Sequence, residues 1–292
     1  MALHKAITAE LLELEVCGGV AVRCYAGGVS PGPESPRSLL LLHSINAAPS
    51  AMEMKPLFEH FAPQRPVFAP DLPGFGLSQR GDLPYSPDFY AQAIADVVKQ
   101  LEGPPPDVVA LSLTCEFAAR AVSQLGAQIR SLTLISPTGV GHRQPPPPET
   151  GARINRVLRV GWIGNTLWRA LVSRPSIRYF LGQAFYGSAP GELVDYAVAT
   201  AKASGATSAP FSFLTMQLFT PEAAKALYAG LQIPTLLVYD QDPNIGFEQV
   251  AELLAANPAI SERRIIPTRG LPQWERPDET FEALTGFWRD LE

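Results

Sequence analysis

Histidine is scarce in this chain. There are four in 292 residues, His4, His43, His60 and His142, and none follows position 142. So few imidazoles leave few candidates for a general base near neutral pH. Cysteine is rarer still. Cys17, Cys24 and Cys115 are odd in number and sit in apolar or strand-like contexts. They exclude a fully paired disulfide framework and read as small buried hydrophobes in a reducing, cytoplasmic compartment. An excess of basic residues is missing: 23 Lys and Arg face 28 Asp and Glu, a net charge of −5. That excludes the basic surface a nucleic-acid partner needs. No apolar run approaches the roughly eighteen residues that span a membrane. The opening residues 1–16 carry acidic side chains and no long apolar block, unlike a signal peptide. Phosphate loops ending in Gly-Lys-Ser/Thr, HExxH and paired CxxC are all absent, so neither a cofactor nor a metal is implied. Gly74-Phe75-Gly76 is no dinucleotide fingerprint, because Gln79 stands where its third glycine belongs.

What is present suits one large α/β domain with an insertion. The chain is 46% hydrophobic, enough for a sizeable core. Residues 10–16 and 20–26 alternate apolar and polar around Gly18-Gly19, which predicts a two-stranded opening. SLLLLH (38–43), PVFAPDL (66–72), DVVALSL (107–113) and SLTLISP (131–137) are short unbroken apolar runs. Such runs fit strands buried on both faces of a parallel sheet. Helical spacing fills the gaps at 50–62, from Pro87 after the cap Ser86, and at 114–126. The rhythm breaks near 138. A proline-rich linker (140–150) leads into a helical, aromatic-rich stretch that runs to about 230. A buried strand returns at 233–242, followed by helical 247–256, strand-like 262–267 and helical 278–290. The expected fold is a mostly parallel, twisted sheet with helices on both faces. A core of 1–139 and 231–292 would carry a helical lid at 140–230.

In VVALSLTCEF (108–117) a buried strand ends at Ser112 and a helix begins at once. That pattern can lift a serine hydroxyl off the end of a sheet, the arrangement of a nucleophile elbow. A serine capping an ordinary helix gives the same pattern. The usual flanking glycines are replaced by Ala110 and Thr114.

LLLLHSINAAPSAMEMKPLFEHF (39–61), FAPDLPGFGLS (68–78), ALSL (110–113) and LTLISPTG (132–139) occur in the order and at the intervals of the α/β-hydrolase family. The chain resembles that family's lidded branch of esterases, haloalkane dehalogenases and carbon–carbon bond hydrolases. The resemblance covers 10–140 and 231–291. It implies Ser112 as nucleophile, the backbone N–H groups of Ile45 and Leu113 as the oxyanion hole, and Asp242 as the triad acid. Two N–H groups aimed at a developing oxyanion are often the largest catalytic contribution. His43-Ser44 stands where the family has His-Gly, and Ser44 could crowd the hole or add a hydroxyl to it. His43 reads equally as a structural histidine at a strand end.

The resemblance also implies a histidine after the last strand, in a Gly-His motif before Glu-Arg-Pro. Here the stretch is RGLPQWERP (269–277), with Leu271 after Gly270. Without a base, a serine hydroxyl is a poor nucleophile. Two substitutes are open. His142, beyond the flexible Gly139-Val140-Gly141, could reach Ser112 from the lid or could be an exposed linker residue. Glu116, in the first helical turn after Ser112, could act as a base or simply satisfy backbone N–H groups. The implied functions are a hydrolase of a small apolar acyl compound with an unorthodox base, or a degenerate pseudo-hydrolase that binds a hydrophobic small molecule. A lyase using the same pocket would suffer the same gap. The partner in each case is a small molecule, and self-association stays open.

Overall fold

The computed structural model describes residues 3–30, 36–146, 151 and 161–292, with the backbone alone for 161–165. Part of the proline-rich linker and the start of the insertion lie outside these residues. One eight-stranded sheet runs through the molecule in the order β1-β2-β4-β3-β5-β6-β7-β8. Its strands are β1 (Glu10–Val16), β2 (Val20–Gly27), β3 (Leu39–Leu42), β4 (Val67–Pro70), β5 (Asp107–Leu111), β6 (Ser131–Ile135), β7 (Thr235–Tyr239) and β8 (Ile260–Arg264). β1 pairs antiparallel with β2, and β2 with β4; every other pairing is parallel.

The unbroken apolar runs are explained by which face each residue serves. Leu40, Leu42, Val108, Ala110, Leu132 and Leu134 pack on one side of the sheet. That side is covered by α2 (Pro87–Gln100), α3 (Thr114–Leu125) and α9 (Val250–Ala256). Leu39, Leu41, Val109, Leu111, Ile135 and Val238 face the other way, toward α1 (Lys55–Phe61) and α11 (Pro277–Arg289). A strand with a helix on each face buries every side chain, so period-two alternation vanishes.

Between β6 and β7 the described residues form only helices. They are α4 (Gly161–Leu171), α5 (Arg174–Gln183), α6 (Gly191–Ala201), α7 (Ser208–Leu214) and α8 (Ala223–Ala226), with a 3-10 turn at Tyr228–Gly230. Trp168, Val172, Ile177, Val194 and Phe211 give this insertion a small core of its own. One boundary departs from the sequence-based expectation. The last strand ends at Arg264, not 267, and Ile266 is 61% exposed. β8 is the edge of the sheet with most of its residues exposed, and beyond it Ile265 turns into the core while Ile266 faces solvent.

PDLPGFGLS owes its composition to one buried carboxylate. Asp71 is fully buried and accepts N–H groups from Ala51 (2.8 Å) and Leu77 (2.8 Å). Gly76 lies against that carboxyl group at φ +49°, where a methyl group has no room. Gly74, at φ +92°, brings the same loop to Ala209 of the insertion, leaving 2.5 Å for an added Cβ. Gly76→Ala should therefore destabilise the protein by more than about 2 kcal/mol in urea unfolding. Gly191→Ala, at a helix start with open space around it, should stay within about 0.5 kcal/mol.

Candidate active site

Ser112 leaves β5 with φ +56°, a left-handed conformation rare for a residue with a side chain. Its N–H donates to Ile135 O on β6 (2.8 Å), and its carbonyl accepts the Cys115 N–H (3.1 Å) that opens α3. These two bonds make the strand-to-helix reversal sharp. Thr114, which replaces a family glycine, donates its hydroxyl to His43 O (2.7 Å) and so pins the start of α3 to the end of β3. Strain at Ser112 is thus balanced by ties on both sides of the turn.

The turn opens into a cavity of about 500 Å³. Its sheet side is formed where β3, β5, β6 and β7 end. Ser44, Ile45, Leu111, Ser112, Leu113, Thr138 and Asp242 line it, and Leu171, Ile177, Phe180, Leu181, Phe213 and Phe219 of the insertion close it. Among the described residues, neither the Ile45 N–H nor the Leu113 N–H has a protein acceptor. Two unpaired donors therefore sit beside the serine.

Asp242 lines the cavity as well. Its Oδ1 accepts N–H groups from Asn244 (2.7 Å) and Ile245 (3.1 Å). Its Oδ2 lies against Gly270, where an added Cβ would be 2.6 Å away. Burial raises its pKa to about 6, against the lowering pull of the two N–H groups and Arg269. Asp240, the near neighbour, is a different kind of residue. It pairs with Arg264 (2.7 Å) and accepts the Thr268 N–H (3.2 Å), so it braces the last loop.

No histidine reaches this cavity. His43 is fully buried under the sheet end. Its Nε2 accepts the Leu72 N–H (2.9 Å), so its Nδ1 carries the proton and donates to Ser44 O (2.6 Å). Burial pushes its pKa down to about 4, which keeps it neutral. It is a structural histidine, not a cavity residue. His60 stacks on Phe281 at 3.8 Å, and His4 meets Tyr196 edge-on at 5.1 Å. His142 is exposed, and its backbone N–H donates to Glu248 (3.3 Å). Its neighbours Gly141 and Arg143 line the cavity, but His142 does not. The expected approach of His142 to Ser112 is therefore not met; the chain turns its side chain out to solvent.

Leu271, the residue after Gly270, is buried and lines the cavity. The following helix α10 (Pro272–Glu275) keeps its scaffold work. Glu275 accepts N–H groups from Arg269 (2.6 Å) and from Tyr186 of the insertion (2.8 Å).

Glu116 is buried and lines the cavity, but it does not cap its own helix. It accepts the Thr138 hydroxyl (2.5 Å) and the Thr220 N–H (2.8 Å), joining α3 to the loop after β6 and to the insertion. Burial raises its pKa despite these donors.

Sequence reasoning missed Glu53 and Asn46. Ser44 donates both its N–H (2.8 Å) and its hydroxyl (3.0 Å) to Glu53, and Asn46 Nδ2 adds a third donor (3.0 Å). So Ser44 neither blocks the hole nor offers a free hydroxyl; it is tied to a carboxylate that itself lines the cavity. The signal was slight: an acidic residue between Met52 and Met54 in an otherwise apolar segment.

A sequence profile described as alpha/beta hydrolase family matches residues 39–283. The chain belongs to the α/β-hydrolase family. No curated protein matches its sequence at a significant level. Among solved structures, an esterase from Thermogutta terrifontis superposes with a TM-score of 0.70 at 18% identity, over 97% of this chain and 99% of that one. Cfl2 from Burkholderia cenocepacia gives 0.74 at 20% identity, over 95% of each chain. A 2-hydroxy-6-oxo-6-phenylhexa-2,4-dienoate hydrolase from Rhodococcus gives 0.72 at 17% identity, over 97% and 100%. At these identities the likeness is one of fold. Among the described residues, no helix of this α/β-hydrolase is long and apolar enough to cross a membrane, and no cluster of His, Cys, Asp and Glu is placed to hold a metal ion.

The buried Glu53 leads to a pH prediction. Burial raises its pKa to about 6 against its three donors. A group raised on folding stabilises the native state fully below its unfolded pKa and loses that contribution as pH climbs through the folded value. Between about pH 4 and pH 8, the Glu53→Gln variant should gain about 2 kcal/mol on the parent protein. Urea unfolding of both proteins at the two pH values measures it; parallel curves would remove the assigned shift.

Proposed function

We propose that this α/β-hydrolase binds a small, largely apolar molecule between sheet and lid and does not turn over esters by a serine–histidine–aspartate triad. One observation carries the reading: none of the four histidines lines the cavity, and Leu271, the residue after Gly270, lines it. In a model serine protease, loss of serine or histidine costs ~10^6 in turnover, leaving ~10^3–10^4 over water from the oxyanion hole and binding. The apolar lid wall and the size of the cavity suit a small organic ligand. The reading expects no labelling of Ser112 by a fluorophosphonate, and p-nitrophenyl acetate turnover no faster than buffer.

A second reading keeps Ser112 as the nucleophile of an esterase-like hydrolase. It is favoured by the retained elbow and by the unpaired N–H groups of Ile45 and Leu113. Asp242 and His142 would then share the work of acid and base, and His142 would have to leave its solvent-facing place to do so. Turnover of short p-nitrophenyl esters, abolished by Ser112→Ala, would establish this reading over the first.

The two readings share a prediction about what is missing. Asp242 Oδ2 has no hydrogen-bond donor and lies beside Gly270. Leu271→His would place an imidazole next to it. If only the base is absent, that variant should turn over p-nitrophenyl acetate about 10^2-fold faster than the parent and acquire fluorophosphonate labelling. A folded Leu271→His protein that stays inert would show that the defect extends beyond one side chain.

A further inference from the structure

One carboxylate of the cavity wall, Glu53, lacks matching positive charge, whereas Arg269 acts on Asp242. Glu53 is 4% exposed, and its donors, the Ser44 N–H, the Ser44 hydroxyl and the Asn46 amide, are all neutral. Among the described residues no ion pair reaches it. Asp242 lines the same cavity from the end of β7, with Oδ2 free of donors. Glu53, Ser112 and Asp242 all line the same cavity. Glu116 is the third acid of the wall, but the Arg120 guanidinium already acts on it. Among the described lining residues the only cation is Arg143, which is exposed on the stretch leading into the insertion.

A carboxylate held in an apolar wall without a countercharge is costly when ionised. The raised pKa of Glu53 expresses that cost. A ligand that brings its own positive charge repays it, whereas an anionic ligand adds to it. The insertion contributes apolar surface from Leu171, Ile177, Leu181, Phe213 and Phe219.

We propose that the cavity selects a cationic amphiphile: an organic ammonium ion whose charged end pairs with Glu53, with Asp242 as the second carboxylate of the same wall, and whose apolar body lies against the lid. This rests on the small-molecule reading above and names its ligand class. It sets the cavity against carboxylate ligands of the same length. The mechanism is a charge-assisted hydrogen bond formed where solvent competes little.

Three eight-carbon probes test it by calorimetry at about pH 8, where an alkylamine is protonated and a carboxylic acid ionised. They are n-octylamine, octanoate and 1-octanol. The amine should bind about tenfold or more tightly than octanoate. Glu53→Gln should reduce that preference, and Glu53→Gln combined with Asp242→Asn should remove it while 1-octanol binding persists. The neutral alcohol separates the two levels of the argument. If it binds and octanoate equals or exceeds octylamine, the charge selection is wrong and the cavity reading stands. A preference for the amine that survives in the double variant also overturns the assignment. If none of the three binds, the small-molecule reading falls with it.

Discussion

The turn at Ser112 is where the parts of this molecule are joined. A residue with a side chain is held at φ +56° between a fully buried strand and a buried helix. It stays there because neighbouring groups leave no alternative. The Ser112 N–H completes the pairing of β5 with β6, the Thr114 hydroxyl reaches back to β3, and Glu116 ties the first turn of α3 to the insertion. Together these ties connect sheet, helix and insertion around the cavity.

Around this joint, buried polar groups serve as bracing. His43 spends both ring nitrogens on backbone groups. Ser44 spends its N–H and hydroxyl on Glu53. Glu116 spends both oxygens on threonines. Among the described residues, the Ser112 hydroxyl, the Ile45 and Leu113 N–H groups and one oxygen of Asp242 have no protein partner. An acyl-transfer site needs a base to connect these, and no histidine lines the cavity. Fold likeness to esterases and carbon–carbon bond hydrolases therefore says less about chemistry here than the site does.

Much of this was legible in the residues. The short apolar runs identified the buried strands, and the position of Ser112 between a run and a helical segment identified the elbow. The absence of an imidazole after the last strand was visible in RGLPQWERP before any fold was known. Other features were not legible, for a common reason. Whether His43 faces the cavity or the underside of the sheet end depends on the Leu72 N–H, contributed by another loop. Whether Glu116 caps its own helix or grips the lid depends on Thr138 and Thr220, the second of them 104 residues away. Glu53 had no motif; its donors, Ser44 and Asn46, precede it by nine and seven residues on the same connection. His142 looked reachable along the chain, and its exposure is decided by how the linker packs against the segment after β7.

The sequence by itself determined the layered, mostly parallel sheet and the serine at the end of one of its strands. These are local matters: runs of apolar residues, glycines at tight turns and the identity of one side chain. Only the tertiary structure decided which polar groups are used up and which remain free to meet a ligand. That is settled by hydrogen bonds between segments far apart in the chain, and a buried polar group takes whatever partner the packing brings to it.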